Sequence, residues 1–93
     1  MTQDDEIRRG NEAARIMAEP MLVQAFEAME RGIVEQMRRT DLRDADTLRT
    51  LTASLQAMHG VRNHLLQTMA TGKMAAIAKE ESKVSRALKR VFT

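Results

Sequence analysis

The sequence predicts an all-α protein: an antiparallel helical hairpin with flanking N-terminal and C-terminal helices, packed as a small helical bundle. Apolar residues recur at alternating spacings of three and four in two successive segments, which is the period of one helix face. The chain has only two aromatic residues and one proline among 93 residues, so strand formers and helix breakers are scarce. We expect one domain over residues 1–93, with helices at about 4–18, 20–39, 45–71 and 73–92.

The first predicted helix, residues 4–18, begins with acidic side chains. Thr2 is suited to cap it, and Asp4 and Asp5 in the first turn favour the positive end of the helix dipole. Gly10 lies in the middle of this segment, where glycine weakens a helix by about 1 kcal/mol relative to alanine.

The second predicted helix, residues 20–39, is bounded by Pro20, which suits the first position of a helix. Its predicted inner face is Leu22, Phe26, Met29, Ile33 and Met37. A polar link, Thr40 to Ala45, follows it. Asp44 or Asp46 is then the expected N-cap of the third helix.

The third predicted helix, residues 45–71, carries the longest apolar series of the chain. Its members are Leu48, Leu51, Leu55, Met58, Leu65 and Met69. Arg62 occupies one slot of this series, so it must either reach solvent or pair with Glu27 or Glu30 across the hairpin. We expect Gly72 to end this helix as its C′ residue.

The predicted core combines both series in the residues Leu22, Phe26, Met29, Leu55, Met58 and Leu65. If the hairpin turns near residue 43, Phe26 lies opposite Gly60. We therefore predict that Gly60 makes room for the Phe26 ring against the backbone of the third helix.

The last segment, residues 73–92, has a narrower apolar face interrupted by Glu81. This face consists of Met74, Ile77, Val84, Leu88 and Val91. The segment could continue the third helix through Gly72, fold back onto the hairpin or wait for a partner. Val84, Leu88 and Val91 are the first candidates for a partner-binding surface.

The same segment is basic, with Lys83, Arg86, Lys89 and Arg90 on one amphipathic helix. Such a helix can contact phosphates of nucleic acid. Charge is uneven along the chain, because residues 1–30 hold seven acidic and three basic side chains although the whole chain has a net charge of +2. A single aromatic residue in this segment offers no platform for base stacking, so nucleic-acid binding is the less favoured interpretation.

No motif in the sequence carries catalytic chemistry. His59 and His64 are five residues apart, about 140° around a helix, so they cannot bind one metal ion together. The serines lack a glycine elbow, and the four glycines are solitary. We therefore predict no catalytic residue, no metal and no cofactor. No apolar run is long enough to span a membrane, and the charged N-terminus is unlike a secretion signal, so an intracellular protein is expected.

The order of features resembles a group of small all-helical proteins encoded among the virion or packaging genes of tailed phages and prophages. The similar stretch covers about residues 8–75, RRGNEAARIMAEPMLVQAFEAMERGIVEQMRRTDLRDADTLRTLTASLQAMHGVRNHLLQTMATGKMA. Its marks are an alanine-rich lead-in, Pro20-Met21-Leu22, Ala25-Phe26, a polar break at Thr40-Asp41, Val61-Arg62 and Gly72-Lys73. The resemblance implies a structural or assembly role, in the host cytoplasm or the virion, and supplies no catalytic residue.

The sequence thus predicts a non-enzymatic protein–protein association or assembly protein. A chain this small, with no cysteine to cross-link it, favours a homo-oligomer or a subunit of something larger. Two alternatives stay open: a small regulator or inhibitor that covers a partner's site, and a nucleic-acid accessory protein that uses the basic C-terminal segment.

Overall fold

The computed structural model describes residues 1–92, and in that range it contains three α-helices and no strand. Helix α1 is Gln3–Met17, α2 is Pro20–Arg39 and α3 is Ala45–Phe92. The predicted all-α class is confirmed. The bounds of α2 and the start of α3 are as predicted, and α1 begins and ends one residue earlier than predicted.

The start of α1 is fixed by a reciprocal pair of hydrogen bonds. The backbone N–H of Asp5 donates to Oγ1 of Thr2 at 3.2 Å, and the backbone N–H of Thr2 donates to Oδ2 of Asp5 at 3.4 Å. The Thr2 hydroxyl also donates to the same Oδ2 at 2.8 Å. This is the geometry of a capping box, with an aspartate in the place usually held by glutamate. The prediction that Thr2 caps the first helix is confirmed.

The link between α2 and α3 is held by two aspartates. The backbone N–H of Arg43 donates to Oδ1 of Asp41 at 2.8 Å. The backbone N–H of Thr47 donates to Oδ1 of Asp44 at 3.2 Å. Asp44, rather than Asp46, is therefore the N-cap of α3, in agreement with one of the two predicted candidates.

The predicted helix end at Gly72 is wrong, because α3 continues through it to Phe92. Of the three paths considered for the last segment, the structure has the continuation of the third helix. Gly72 does not adopt a positive φ, so it makes no C-cap turn. The residues that follow it, Lys73 to Ala78, are mostly strong helix formers and give the helix no reason to stop.

The chain forms two compact units. The central unit is Ile16–His64, and the terminal unit combines Met1–Arg15 with the chain from Leu65 onward. In the central unit the inner residues of α2 are half-buried, as are Leu48, Leu51 and Leu55 of α3, and Met58 is 7% exposed. The predicted inner face of α3 is thus confirmed in this unit by the low exposure of its members.

The prediction that Met29 belongs to the core is wrong, because its side chain is 55% exposed. The neighbouring Glu30 is turned toward α3 instead. Its Oε1 lies 3.4 Å from Nε2 of His59, and its Oε2 accepts from Nη2 of Arg62 at 3.5 Å. Two polar partners on α3 thus hold Glu30 at the position that apolar spacing assigned to Met29. The predicted pairing of Arg62 with Glu30 is confirmed.

The steric role predicted for Gly60 is also wrong. A Cβ atom built on Gly60 meets no atom within 4 Å, and the same is true of Gly32. The glycines that do make close contacts are Gly10 and Gly72, which touch each other in the terminal unit. A Cβ built on either would lie 2.7 Å from the Cα of the other. Two helix backbones therefore approach each other at this point.

In the terminal unit α1 runs antiparallel to the part of α3 that it contacts. Gly10 lies against Gly72, and closer to the N-terminus Oδ1 of Asp4 accepts from Nζ of Lys79 at 2.7 Å. Ala13 and Ala75 are 3% and 6% exposed, so small side chains fill this contact. Glycine and alanine allow a short distance between the helix axes.

Candidate partner-binding surface

The C-terminal part of α3 presents an apolar face that is interrupted once, by Glu81, and we call this face the C-terminal stripe. It consists of Leu66, Ala70, Met74, Ile77, Val84, Leu88 and Val91. Spacings of three and four, with Glu81 in the remaining slot, keep these residues on one side of the helix over about 37 Å. Because α3 does not end at Gly72, the stripe begins earlier than the sequence predicted and includes Leu66 and Ala70.

The packing of α1 leaves the C-terminal stripe uncovered. Gly72, Ala75 and Lys79, which contact α1 or are buried beside it, lie about half a turn away from Ile77 around the helix axis. Ile77 is therefore on the side of α3 opposite the α1 contact, whereas Ala70 and Met74 line a shallow groove with Gln3 and Glu6 of α1.

The three residues predicted to face a partner are among the exposed members of this stripe. The side chain of Val84 is 54% exposed, that of Leu88 is 51% exposed and that of Val91 is 75% exposed. Val84 and Leu88 line a shallow open groove with Ile77. The other residues of this groove are Glu80, Glu81 and Ser85. Apolar side chains that lie singly on a surface are ordinary, whereas a contiguous apolar face of this length is typical of an interaction site.

The four basic residues predicted for nucleic-acid contact are all exposed on α3. Lys83 and Arg86 line a polar groove with Lys79 and the first residues of α1, which include Asp4. Lys89 makes an interaction of its own, and Arg90 is exposed near the end of α3. The carboxylates at the start of α1 oppose part of the positive charge that a phosphate backbone would meet.

The pair of histidines has no shared role in the part of the chain that the structure describes. His59 contacts Glu30, while His64 is exposed and has a separate interaction. Residues 1–92 contain no cluster of three or more side chains able to hold a metal ion. In the same range no helix is both long enough and apolar enough to cross a membrane.

Two acidic side chains outside the stripe have lowered pKa values. Hydrogen bonds from the side chain and backbone of Thr2 lower the pKa of Asp5. The backbone N–H of Arg43, together with its side chain, lowers the pKa of Asp41. The hydrogen bonds of Asp5 fix the start of α1, and those of Asp41 fix the turn between α2 and α3.

No protein-family model, curated protein or solved structure matches this chain. The function of the chain is therefore inferred from its own exposed residues.

Proposed function

We propose that this chain is a non-enzymatic association protein whose C-terminal stripe binds another helix, with self-association as its basic step. The observation that carries the proposal is the exposure of Val84, Leu88 and Val91 along one face of α3, in the part of the helix that follows the α1 contact at Gly72 and Lys79. Covering these side chains with a second apolar helix removes their surface from water, and burial of this kind drives most protein association.

The proposal extends to the arrangement of the central unit. We infer that α2 and the first part of α3 form an antiparallel hairpin, which is supported by the contacts of Glu30 with His59 and Arg62 and by the short link between the helices. Such a hairpin would be a rigid body carried by the associating helix. The predicted use of Arg62 to set the register of an oligomer is less favoured, because its guanidinium already meets Glu30.

The biological setting that we propose is a larger assembly, such as a phage particle or its packaging machinery. This setting comes from the resemblance over residues 8–75. It accords with a small chain whose exposed apolar face is long enough to pack against another helix. An intracellular location, in the host cytoplasm or the virion, remains a prediction. A regulator that covers a partner's site and a nucleic-acid accessory protein remain alternatives, and the acidic side chains beside Lys83 and Arg86 favour association over nucleic-acid binding.

Light scattering after size exclusion, over a range of protein concentrations, tests the proposal. We expect the wild-type chain to form a dimer or a larger oligomer. Leu88→Glu should shift it toward monomer, because the substitution places a charge in the stripe. Ser82→Glu is the matched control, since it adds the same charge to an exposed position on the other side of the same helix.

Circular dichroism of both variants would show that each retains its helices. A wild-type chain that stays monomeric at every concentration would contradict the proposal. Equal behaviour of Leu88→Glu and Ser82→Glu would also contradict it, because the association would then not depend on the stripe.

A further inference from the structure

We infer that the occupant of the C-terminal stripe is a second copy of this chain, paired antiparallel and centred on Ile77. The inference rests on the proposed function and names the partner and its orientation. It is carried by the distribution of apolar and charged residues along the stripe, which is symmetric about one point.

Five of the seven apolar residues of the stripe match themselves when the direction of the helix is reversed, whereas Met74 and Val91 fall opposite Glu80 and Asn63. Leu66 and Leu88 lie eleven residues before and after Ile77, and Ala70 and Val84 lie seven residues before and after it. In an antiparallel pair centred on Ile77, each Leu66 meets Leu88 of the second copy. The small Ala70 side chain then meets the branched Val84, and the two Ile77 side chains meet at the two-fold axis.

The charged residues beside the stripe complement each other in the same arrangement. Lys73 and Glu80 are seven residues apart, so they lie on the same side of the stripe two turns from each other. Both are exposed, and neither makes an ion pair within residues 1–92. Lys73 lies four residues before Ile77 and Glu80 three residues after it, so the two are within one residue, about 1.5 Å along the helix, of directly opposite positions. Residues on one side of the contact face the same side of an antiparallel partner, so Lys73 meets Glu80 of the second copy.

Two-fold symmetry makes this ion pair twice, once at each side of the axis. A parallel pair in register would instead place Lys73 against Lys73, and Glu80 and Glu81 against their own equivalents. Like charges in these positions destabilise a pair of helices. Charge complementarity therefore selects the antiparallel arrangement, and the contact with α1 leaves this side of α3 free to accept it.

The absence of cysteine from the sequence allows a direct test of the geometry. Single cysteines are introduced at Ile77→Cys and Val84→Cys in the full chain, and each protein is treated with a short thiol-to-thiol cross-linker. We expect efficient cross-linking of Ile77→Cys, whose copies meet at the axis, and little of Val84→Cys. A mixture of Ala70→Cys and Val84→Cys should give the cross-linked heterodimer.

Charge reversal gives an independent test by sedimentation equilibrium at low salt. Lys73→Glu and Glu80→Lys should each weaken the dimer by on the order of tenfold, since two ion pairs become two repulsive contacts. An equal mixture of the two variants, and the double variant Lys73→Glu/Glu80→Lys, should both recover the wild-type affinity. High salt should reduce the differences among these proteins.

The outcomes separate this inference from the proposed function. A dimer that depends on Leu88 but cross-links through Val84→Cys rather than Ile77→Cys would overturn the antiparallel inference and leave association through the stripe intact. Single charge reversals that do not change the dimer affinity would also overturn it. A wild-type chain that never dimerises would overturn both.

Discussion

The central and terminal units of this chain hold their helices together in different ways. In the central unit, large side chains such as Phe26 and Leu55 are half-buried around the buried Met58. In the terminal unit the contact consists of Gly10, Ala13, Gly72 and Ala75, so backbone lies against backbone. Periodic large apolar residues therefore indicate only one of the two kinds of helix contact in this chain, because the other is made by glycine and alanine.

The two kinds of contact leave different surfaces behind. Where large side chains face the contact, the apolar residues of the helix are used inside the unit. Where glycine and alanine face it, Leu65 and Met69 of the same unit are half-buried, but several large apolar residues of the same helix lie on the opposite side. That is the situation of Ile77, Val84 and Leu88, which are about half exposed. The small-residue contact and the candidate partner-binding surface therefore both follow from the way in which small and large apolar residues alternate along α3.

Loss of side-chain volume in the central unit should lower the free energy of unfolding more than any other change considered. Met58→Ala removes the side chain that is buried there, and a substitution of this kind destabilises a protein by about 2–4 kcal/mol through lost burial and the cavity left behind. Chemical denaturation followed by circular dichroism measures the free energy of unfolding. Met29→Ala is the matched control, because its side chain is 55% exposed, and it should change that free energy by less than about 1 kcal/mol. Equal losses for both variants would contradict the exposed position of Met29 on α2.

The terminal unit should respond to added volume instead. Gly72→Ala places a Cβ atom 2.7 Å from the Cα of Gly10, so the two helices must separate. We expect a net destabilisation of about 1–3 kcal/mol from overpacking, even though alanine is the better helix former. The free energy of unfolding of the variant, from the same denaturation experiment, gives the size of the loss.

Gly60→Ala is the control for this substitution, because the new Cβ would meet no atom within 4 Å. It should stabilise the chain by up to about 1 kcal/mol through helix propensity alone. The difference in free energy of unfolding between Gly72→Ala and Gly60→Ala tests whether the terminal unit depends on a close contact between helix backbones. If Gly72→Ala stabilised the protein as Gly60→Ala does, the close contact with Gly10 would be refuted.

Much of the fold could be predicted from the sequence, because the signals involved are local. Pro20, Thr2 and Asp44 fix helix starts through their own backbone geometry or through hydrogen bonds to residues a few positions away. The inner face of α3 in the central unit follows from spacing. These features need no knowledge of what lies on the other side of the helix.

The errors concern glycines and one methionine, and each depends on a distant partner. Gly72 has the composition of a helix end, and only the presence of Gly10 at contact distance gives it a role inside a helix. Met29 fits the apolar period, but Glu30 is the residue that finds partners on α3. The run of helix formers after Gly72 was the available signal for a continuous helix.

The exposure of the candidate surface agrees with the sequence, and its binding role stays a prediction. Val84, Leu88 and Val91 were expected to face a partner, and they are exposed. The extension of the stripe to Leu66 and Ala70 could not be predicted while a helix end was placed at Gly72. The symmetry about Ile77 depends on these two residues, and it therefore emerged only from the continuous helix.

Two carboxylates, one in each unit, have pKa values lowered by hydrogen bonds from different sources, and substitutions near them should have only small effects. In the terminal unit the side chain of Thr2 is the main cause of the lowered pKa of Asp5. In the central unit the main cause of the lowered pKa of Asp41 is the backbone N–H of Arg43. A side-chain substitution can remove the first cause, whereas it leaves the second in place.

We therefore expect Thr2→Val to raise the pKa of Asp5 toward its ordinary value, while Arg43→Ala should leave most of the lowering at Asp41. Carboxyl chemical shifts followed through an acid titration by NMR measure both values. Because the pKa of each group is lowered by folding, its stabilising effect is present above the ordinary pKa and is lost as the pH falls through the lowered value. Thr2→Val should reduce the part of this pH dependence that comes from Asp5, because the Thr2 hydroxyl is the largest of several causes of the lowered pKa. A pKa of Asp5 that is unchanged in Thr2→Val would show that the cap is not formed in solution.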